Sequence, residues 1–463
     1  MYYTSRSAIE SRQDCPRKRY LNYHYDGIGI VPANRSIPLT TGICTHSGVE
    51  LMVREAKGNT KVKFEGKSLE DLIDTAVSVA IEKYNTLLKD TGFTGTLEKE
   101  QEFVKNEQIA LTEALVRSWG MKEFPLIIKD YKILEVETEL SDYWYVDPTL
   151  QELFGVDGRN TILFQGKADI ILETKDQYKD ILIYSLKTIK DFAWYVEKSY
   201  KRDLQGITET YLTNRLLAER NIAIDNAITN SPIFLPELSE YLKKKKTNSN
   251  CSGVKFCYLV KGNRKESDFE PGHFITYNPL IRGYKKITGN GIEWAHSWFF
   301  PNPENKSGKS ILGKGWEPFN VWESEHWDFS VKKWMMAIER GEIQVNCPDP
   351  IKGCVVTPVE VRRDSKEIEE DIKILREEEI EYFKKLSNIP NPSLDTFVGK
   401  YIFGKTRRRC DYPTPCDYLP VCYGEDSNGN VLDNQLVMID PIGSGIYEKR
   451  KPHHKGEEEG LSI

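Results

Sequence analysis

The sequence predicts an α/β protein, and two features carry that expectation. The first third is helical in character, and it is followed by the order strand, strand, strand, helix, strand. From about Thr4 the polar opening suits a helix and turn that end near Cys15-Pro16-Arg17-Lys18-Arg19-Tyr20. Three further helices are expected at His46–Ala56, Leu69–Leu88 and Gly95–Trp119, where Ala, Leu, Glu and Lys dominate and apolar residues recur at three and four. Short apolar or alternating runs at Lys132–Leu140, Leu163–Glu173 and Asp180–Leu186 read as strands, a helix follows at Trp194–Glu219, and a strand at Gly253–Lys261.

The remainder is less regular. Residues 243–250, four lysines and four polar residues, read as a solvated loop. Residues 265–350 are rich in Trp, Gly, Pro and Asn, with strand-like pieces at His273–Tyr277 and Trp294–Phe300 and no assignable chemistry. Lys366–Leu386 is a charged helix, and the segment from Gly443, with Glu457-Glu458-Glu459, reads as a disordered tail outside the fold. The expected organisation is a helical part over 1–130, an α/β core over 131–262, an insertion over 263–360, a helix and cysteine loop over 361–430, and a C-terminal segment over 431–463.

Composition sets the outer bounds. The 463 residues carry 64 Lys plus Arg against 70 Asp plus Glu, a formal charge of −6. That balance neither favours nor excludes nucleic acid, because a binder needs only a local basic surface. No apolar run is long enough to cross a bilayer, and the opening residues lack the apolar stretch of a secretory signal, so an intracellular, non-membrane protein is expected. Nine cysteines in such a chain are too few for a disulfide scaffold.

Their placement is uneven. Cys410, Cys416 and Cys422 recur every six residues, and Pro413, Pro415 and Pro420 keep the segment out of regular structure, so a loop can turn three sulfurs toward one centre. Cys15 is the best fourth partner, since it too precedes a proline, whereas Cys44, Cys251 and Cys257 fall in helix- or strand-like segments. Four thiolates suit zinc or an iron–sulfur cluster, and such a clip would close nearly the whole chain into a loop. Cys347 and Cys354 have no third partner nearby and are read as non-ligands.

A second constellation is acidic and basic. Asp169 and Lys187 are polar interruptions of two apolar strands, Gly166-Lys167-Ala168-Asp169 and Ser185-Leu186-Lys187, and neighbouring strands can set them side by side. A hard divalent cation takes carboxylate oxygens while a lysine orients water or steadies phosphate charge, which is what metal-assisted phosphodiester hydrolysis needs. His46 and Glu50, four apart, share a helix face, as do Gln205 and Glu209, with Asp203 and Tyr211 nearby. His46 is a candidate further metal ligand.

The chain order Cys15-Pro16-Arg17-Lys18, Gly42 to His46, Gly166 to Asp169, Ser185 to Lys187, Gln205, then Cys410, Cys416 and Cys422 resembles the RecB-like branch of the PD-(D/E)xK nuclease superfamily. The closer likeness is to its iron–sulfur members, such as the AddB nuclease domain and the CRISPR-adaptation exonucleases. The resemblance spans residues 1–430, though only the motifs carry it. It implies a restriction-endonuclease-like mixed sheet flanked by helices, and a 4Fe-4S cluster on Cys15, Cys410, Cys416 and Cys422, with zinc as the alternative. It further implies Mg²⁺ or Mn²⁺ on His46 and Asp169, Lys187 assisting catalysis, and Gln205 beside the site.

The implied activity is a metal-dependent DNA nuclease, an exonuclease or single-strand-specific enzyme. It would act on single-stranded DNA or free ends, with a helicase or recombination partner, in the cytoplasm of a prokaryotic or phage-infected cell. Three departures matter. The family's second carboxylate, two residues before the lysine, is Ser185 here. That implies either a substitute from the following helix, Glu209 in preference to Asp203, or a protein that binds DNA without cutting it. The tyrosine expected four residues after the glutamine is Glu209 itself, and the even cysteine spacing replaces the usual C-x2-C pair.

Overall fold

The computed structural model describes residues 2–33, 37–59, 63–90, 99–145, 161–189, 199–229, 250–261 and most of 355–451, with five strands between 264 and 321. The lysine-rich stretch 243–249, Cys347, Cys354 and residues 452–463 lie outside the described residues.

The chain opens with β1 (Tyr2–Ser5), which runs directly into α1 (Arg6–Asp14). The opening residues are therefore a strand and not part of a helical turn. Four residues are too few to show a period, and β1 exists because it pairs in parallel with a strand 160 positions on, Tyr2 opposite Ile162. Ser5 caps α1, its Oγ accepting from the Ala8 amide at 3.3 Å. Cys15 then breaks the helix, and α2 (Pro16–Tyr23) restarts with proline at its first position, where the missing N–H costs nothing. After β2 (Ile30–Pro32), the helical first third is built as α3 (Ile37–Gly58), α4 (Lys67–Asp90), α5 (Lys99–Lys122) and α6 (Phe124–Asp130). Helix α3 begins well before His46, so Gly42 and His46 share one helix, one turn apart.

The core follows in the order read from the sequence: β3 (Tyr131–Tyr145), β4 (Thr161–Thr174), β5 (Ile181–Ile189), α7 (Leu204–Thr229) and β6 (Cys251–Val260). Strand β4 is central. Along one edge it pairs antiparallel with β3 over its whole length; along the other it pairs first with β1, up to Gln165, and then with β5, from Ile170. Residues 166–169 thus have no ladder partner on that side, and the sheet splits there. Beyond the split β5 continues parallel to β6.

Two apolar clusters cover the two faces. Ile183, Phe256 and Ile171 pack with α7 and α2, whereas Leu186, Cys257, Ile170 and Leu172 pack with α3, α4, α5 and α6. The result is a mixed sheet between helical layers, as expected for the α/β class. The 263–360 stretch contributes a separate antiparallel sheet of β7 (Arg264–Glu266), β8 (Phe274–Thr276), β9 (Gly283–Thr288), β10 (Gly291–Pro301) and β11 (Trp316–Val321).

Strands β12 (Val355–Val356) and β13 (Val361–Arg362) return to the main sheet on β6, and α8 (Ser365–Ser387) packs on the α7 face. Helix α8 is also tied to the N-terminus. Glu379, fully buried, takes an ion pair from Arg19, a 3.1 Å bond from Arg12 Nε and a 2.5 Å bond from the Thr4 hydroxyl. The chain then forms α9 (Leu419–Tyr423) and β14 (Tyr447–Lys449), which pairs antiparallel with β2. The segment from Gly443 is therefore not a tail at its start: Tyr447 and Arg450 are buried. Its composition is that of a solvated end, and only pairing with a strand over 400 residues away orders it. Among the described residues no helix is long and apolar enough to cross a membrane.

Candidate active site and cysteine centre

The split in the sheet is where the chemistry collects. Gly166 lets α7 close on β4, since a Cβ there would lie 2.8 Å from Leu212 Cδ1, and Gly42 lets α3 close on β5, since a Cβ there would lie 2.6 Å from Thr188 Oγ1. One turn after Gly42, His46 reaches Asp169. The ligand atoms of His46, Asp169 and a third residue, Glu137 of β3, all lie within 4.8 Å of one another.

Glu137 is the residue that sequence reasoning missed. The flanking pairs Val136–Ile170 and Thr138–Ala168 set it opposite Asp169, and its φ of 51° is a left-handed conformation that non-glycine residues rarely adopt. The alternation of both strands breaks at this pair. Val136 and Ile170 face the α3 cluster, while Leu140 and Ala168, of the same parity, face the α7 cluster. The only signal in the sequence is the run Glu135-Val136-Glu137-Thr138-Glu139, which reads as an ordinary solvated strand face.

Burial, and then the neighbouring Asp169 charge, push the Glu137 carboxyl above its ordinary range, while an ion pair with Lys167 works against that. Two carboxyls with an imidazole beside them suit a hard divalent cation. Asp169 is oriented from behind: its Oδ2 accepts from the Leu186 amide at 2.7 Å.

Lys187 and Ser185 lie on β5. The Lys187 ammonium is 2.5 Å from Asp203 Oδ2 and 5.0 Å from the centre of the Phe256 ring. Asp203 in turn caps α7, accepting from the Gln205 amide at 2.9 Å. Asp203 is thus committed to a lysine and a helix end. Ser185 is fully buried and accepts from Gln205 Nε2 at 2.7 Å. The same amide group donates to Glu209 Oε1, and Gln205 Oε1 accepts from Arg6 at 3.0 Å.

Glu209 is not among the three residues whose ligand atoms converge. Its Oε2 is buried without a hydrogen-bond partner, and burial, followed by the Asp169 charge, pushes its carboxyl up to about 8. Tyr211 also points elsewhere, its hydroxyl bonded to Asp142, and Glu50 accepts from Arg54 at 2.7 Å.

A groove of about 650 Å³ opens over these residues. Its walls carry Arg6, Lys167, Lys187 and Arg450 beside the carboxyls of Asp169 and Glu209, and Arg6, Lys167 and Lys187 are ion-paired with Glu10, Glu137 and Asp203.

The four cysteines singled out from the sequence line one cavity of about 260 Å³. Cys15 sits at the α1–α2 break, where its sulfur faces the Thr406 amide at 3.4 Å. Cys410 and Cys416 are joined by a 2.7 Å bond from the Cys416 amide to the Cys410 carbonyl, and Cys422 lies in α9. All four are free thiols, and burial raises Cys416 to about 11. A nearby cation would offset that burial cost and favour the Cys416 thiolate. Cys44, Cys251 and Cys257 are buried in α3 and β6 and take no part.

Comparison of the chain with protein-family models and with curated proteins finds no match.

Proposed function

We propose that this protein is a metal-dependent nuclease that hydrolyses DNA phosphodiesters, with a restriction-endonuclease-like core and a four-cysteine centre. One observation carries the reading: the ligand atoms of His46, Glu137 and Asp169 converge within 4.8 Å, and His46 and Asp169 line a groove together with Lys187. These residues fit Mg²⁺ or Mn²⁺, which take carboxylate oxygens and an imidazole nitrogen. Once bound, the cation supplies charge neutralisation at the phosphate and eases deprotonation of the attacking water.

The protein's own part is positional. The Leu186 amide aims Asp169, Asp203 holds Lys187, and Gln205 links Arg6 on α1 to Ser185 on β5 and Glu209 on α7. Glu137 supplies the second carboxylate that Ser185 cannot, which favours an active enzyme over a binding protein that has lost cleavage. Single-stranded DNA or DNA with free ends is the substrate class, and a helicase or recombination partner is in keeping with it.

Cys15, Cys410, Cys416 and Cys422 would hold the second group. The cavity of about 260 Å³ that they line would take a 4Fe-4S cluster, with zinc as the alternative. Its role is that of a staple between the N-terminal helices and the C-terminal loop.

The test is cleavage of end-labelled single- and double-stranded DNA in Mg²⁺ and Mn²⁺, with the iron content of anaerobically purified protein. Degradation that persists in both Asp169→Ala and Lys187→Ala would refute the nuclease assignment. A colourless, zinc-containing protein would replace the cluster by zinc.

A further inference from the structure

The groove extends beyond the carboxylates. Tyr23, the last residue of α2, and Arg450, the residue after β14, line the same space as Asp169 and Lys187. The Arg450 guanidinium lies 4.3 Å from the centre of the Tyr23 ring, and the residue is 8% exposed. Its backbone is fixed on two sides. Strand β14 pairs with β2, and the Arg450 amide donates to the Gly29 carbonyl at 3.0 Å. Three residues earlier, Tyr447 donates its hydroxyl to the Asp417 carbonyl in the cysteine loop and stacks on Tyr418 with ring centres 5.8 Å apart.

A guanidinium held against an aromatic ring keeps its N–H fork in one plane, which matches two oxygens of a phosphate. A groove of about 650 Å³ is as large as sites that enclose whole small ligands, so it has room for more than the phosphate undergoing hydrolysis. We propose that Arg450 holds a second phosphate of the substrate strand, with Tyr23 as the residue that positions it. The site would take a polynucleotide by a phosphate next to the one at Asp169, and it is delivered by the segment whose composition reads as a tail. This inference rests on the nucleic-acid reading above.

The experiment measures binding of a fluorescently labelled single-stranded oligonucleotide by anisotropy across a range of salt, in an Asp169→Ala background that prevents cleavage. Arg450→Ala is expected to weaken binding about tenfold and to reduce the slope of log affinity against log salt by about 0.7, the value for one phosphate contact on a single strand. Arg450→Lys keeps the charge and is expected to retain the slope while losing about threefold in affinity, because an ammonium neither stacks nor forks. Tyr23→Leu is expected to resemble Arg450→Lys. Unchanged affinity and slope in a folded Arg450→Ala protein would overturn the proposal, and should that variant not fold, unchanged affinity in both Arg450→Lys and Tyr23→Leu would do so. If the Asp169→Ala parent and the unsubstituted protein bind no oligonucleotide with or without Mn²⁺, the nucleic-acid reading itself fails. Binding that is indifferent to Arg450 and Tyr23 removes this inference alone.

Discussion

The two candidate metal centres are assembled in opposite ways. The His46, Glu137 and Asp169 site is built on regular elements, one helix and two adjacent strands, and draws its geometry from a break in sheet pairing at residues 166–169. The cysteine centre is built at helix ends and in a proline-containing loop, and joins positions 15 and 422. A site on strands is held by the ladder whether or not the ion is bound. A site made of thiols from opposite ends of the chain, with Cys416 raised to about 11, would gain most from a bound metal that ties those ends together. Removing a ligand from the first should therefore cost activity and leave the fold; from the second it should cost stability.

The largest effect expected is on the first centre. Asp169→Ala should lower DNA cleavage by a factor of about 10³ or more, roughly 4 kcal/mol in the barrier, with little change in the urea midpoint. Cleavage assays beside urea unfolding check both halves.

Cys416→Ser should release the bound metal and destabilise the protein by about 3–5 kcal/mol, the scale of a cross-link closing a long loop. Mn²⁺ affinity at the groove should change less than about threefold. Loss of Mn²⁺ binding on cysteine substitution, read by calorimetry, would break the claimed independence of the two centres.

A smaller effect separates the two carboxylates that compete to replace the one missing at Ser185. Glu137→Gln should reduce cleavage about 100-fold, or about 2.7 kcal/mol, whereas Glu209→Gln should change it by less than about threefold. The reverse ranking would return the second carboxylate to α7.

The smallest effect concerns Glu209 and pH. Its folded value of about 8 lies above the ordinary 4.5, so between those values the folded protein holds a proton that the unfolded chain has released. Stability from this group is present below about pH 4.5 and is lost as pH rises toward 8. Glu209→Gln removes that loss, and urea unfolding should find the variant more stable than the wild type by about 1–3 kcal/mol at pH 8.5, with no gain at pH 4.5.

Much of this site was legible before any coordinates. Asp169 and Lys187 announce themselves as polar residues interrupting two apolar strands, whereas Gln205 and the Gly42-to-His46 motif are picked out by the resemblance to the nuclease superfamily. Cys15 and the 410–422 cysteines stand out through their prolines. Glu137 was not legible, because its special position comes from a backbone turn to positive φ, while its sequence neighbours Glu135 and Glu139 make it look like one of three equivalent surface acids. Glu209 shows the opposite case. Sharing a helix face with Gln205 placed it near the site, and only packing against β5 determined that it would be buried beside the amide and not join the converging ligands.

The sequence by itself determined the elements that rest on local pattern: three strands, a helix and a strand in that order, the helical first third, and the residue types suited to a hard and a soft metal. The tertiary structure alone decided β1, β14, the placement of Arg450 and the choice of Glu137. Each of these depends on pairing between segments far apart in the chain, or on a single backbone dihedral, and neither leaves a periodic trace in the order of the amino acids.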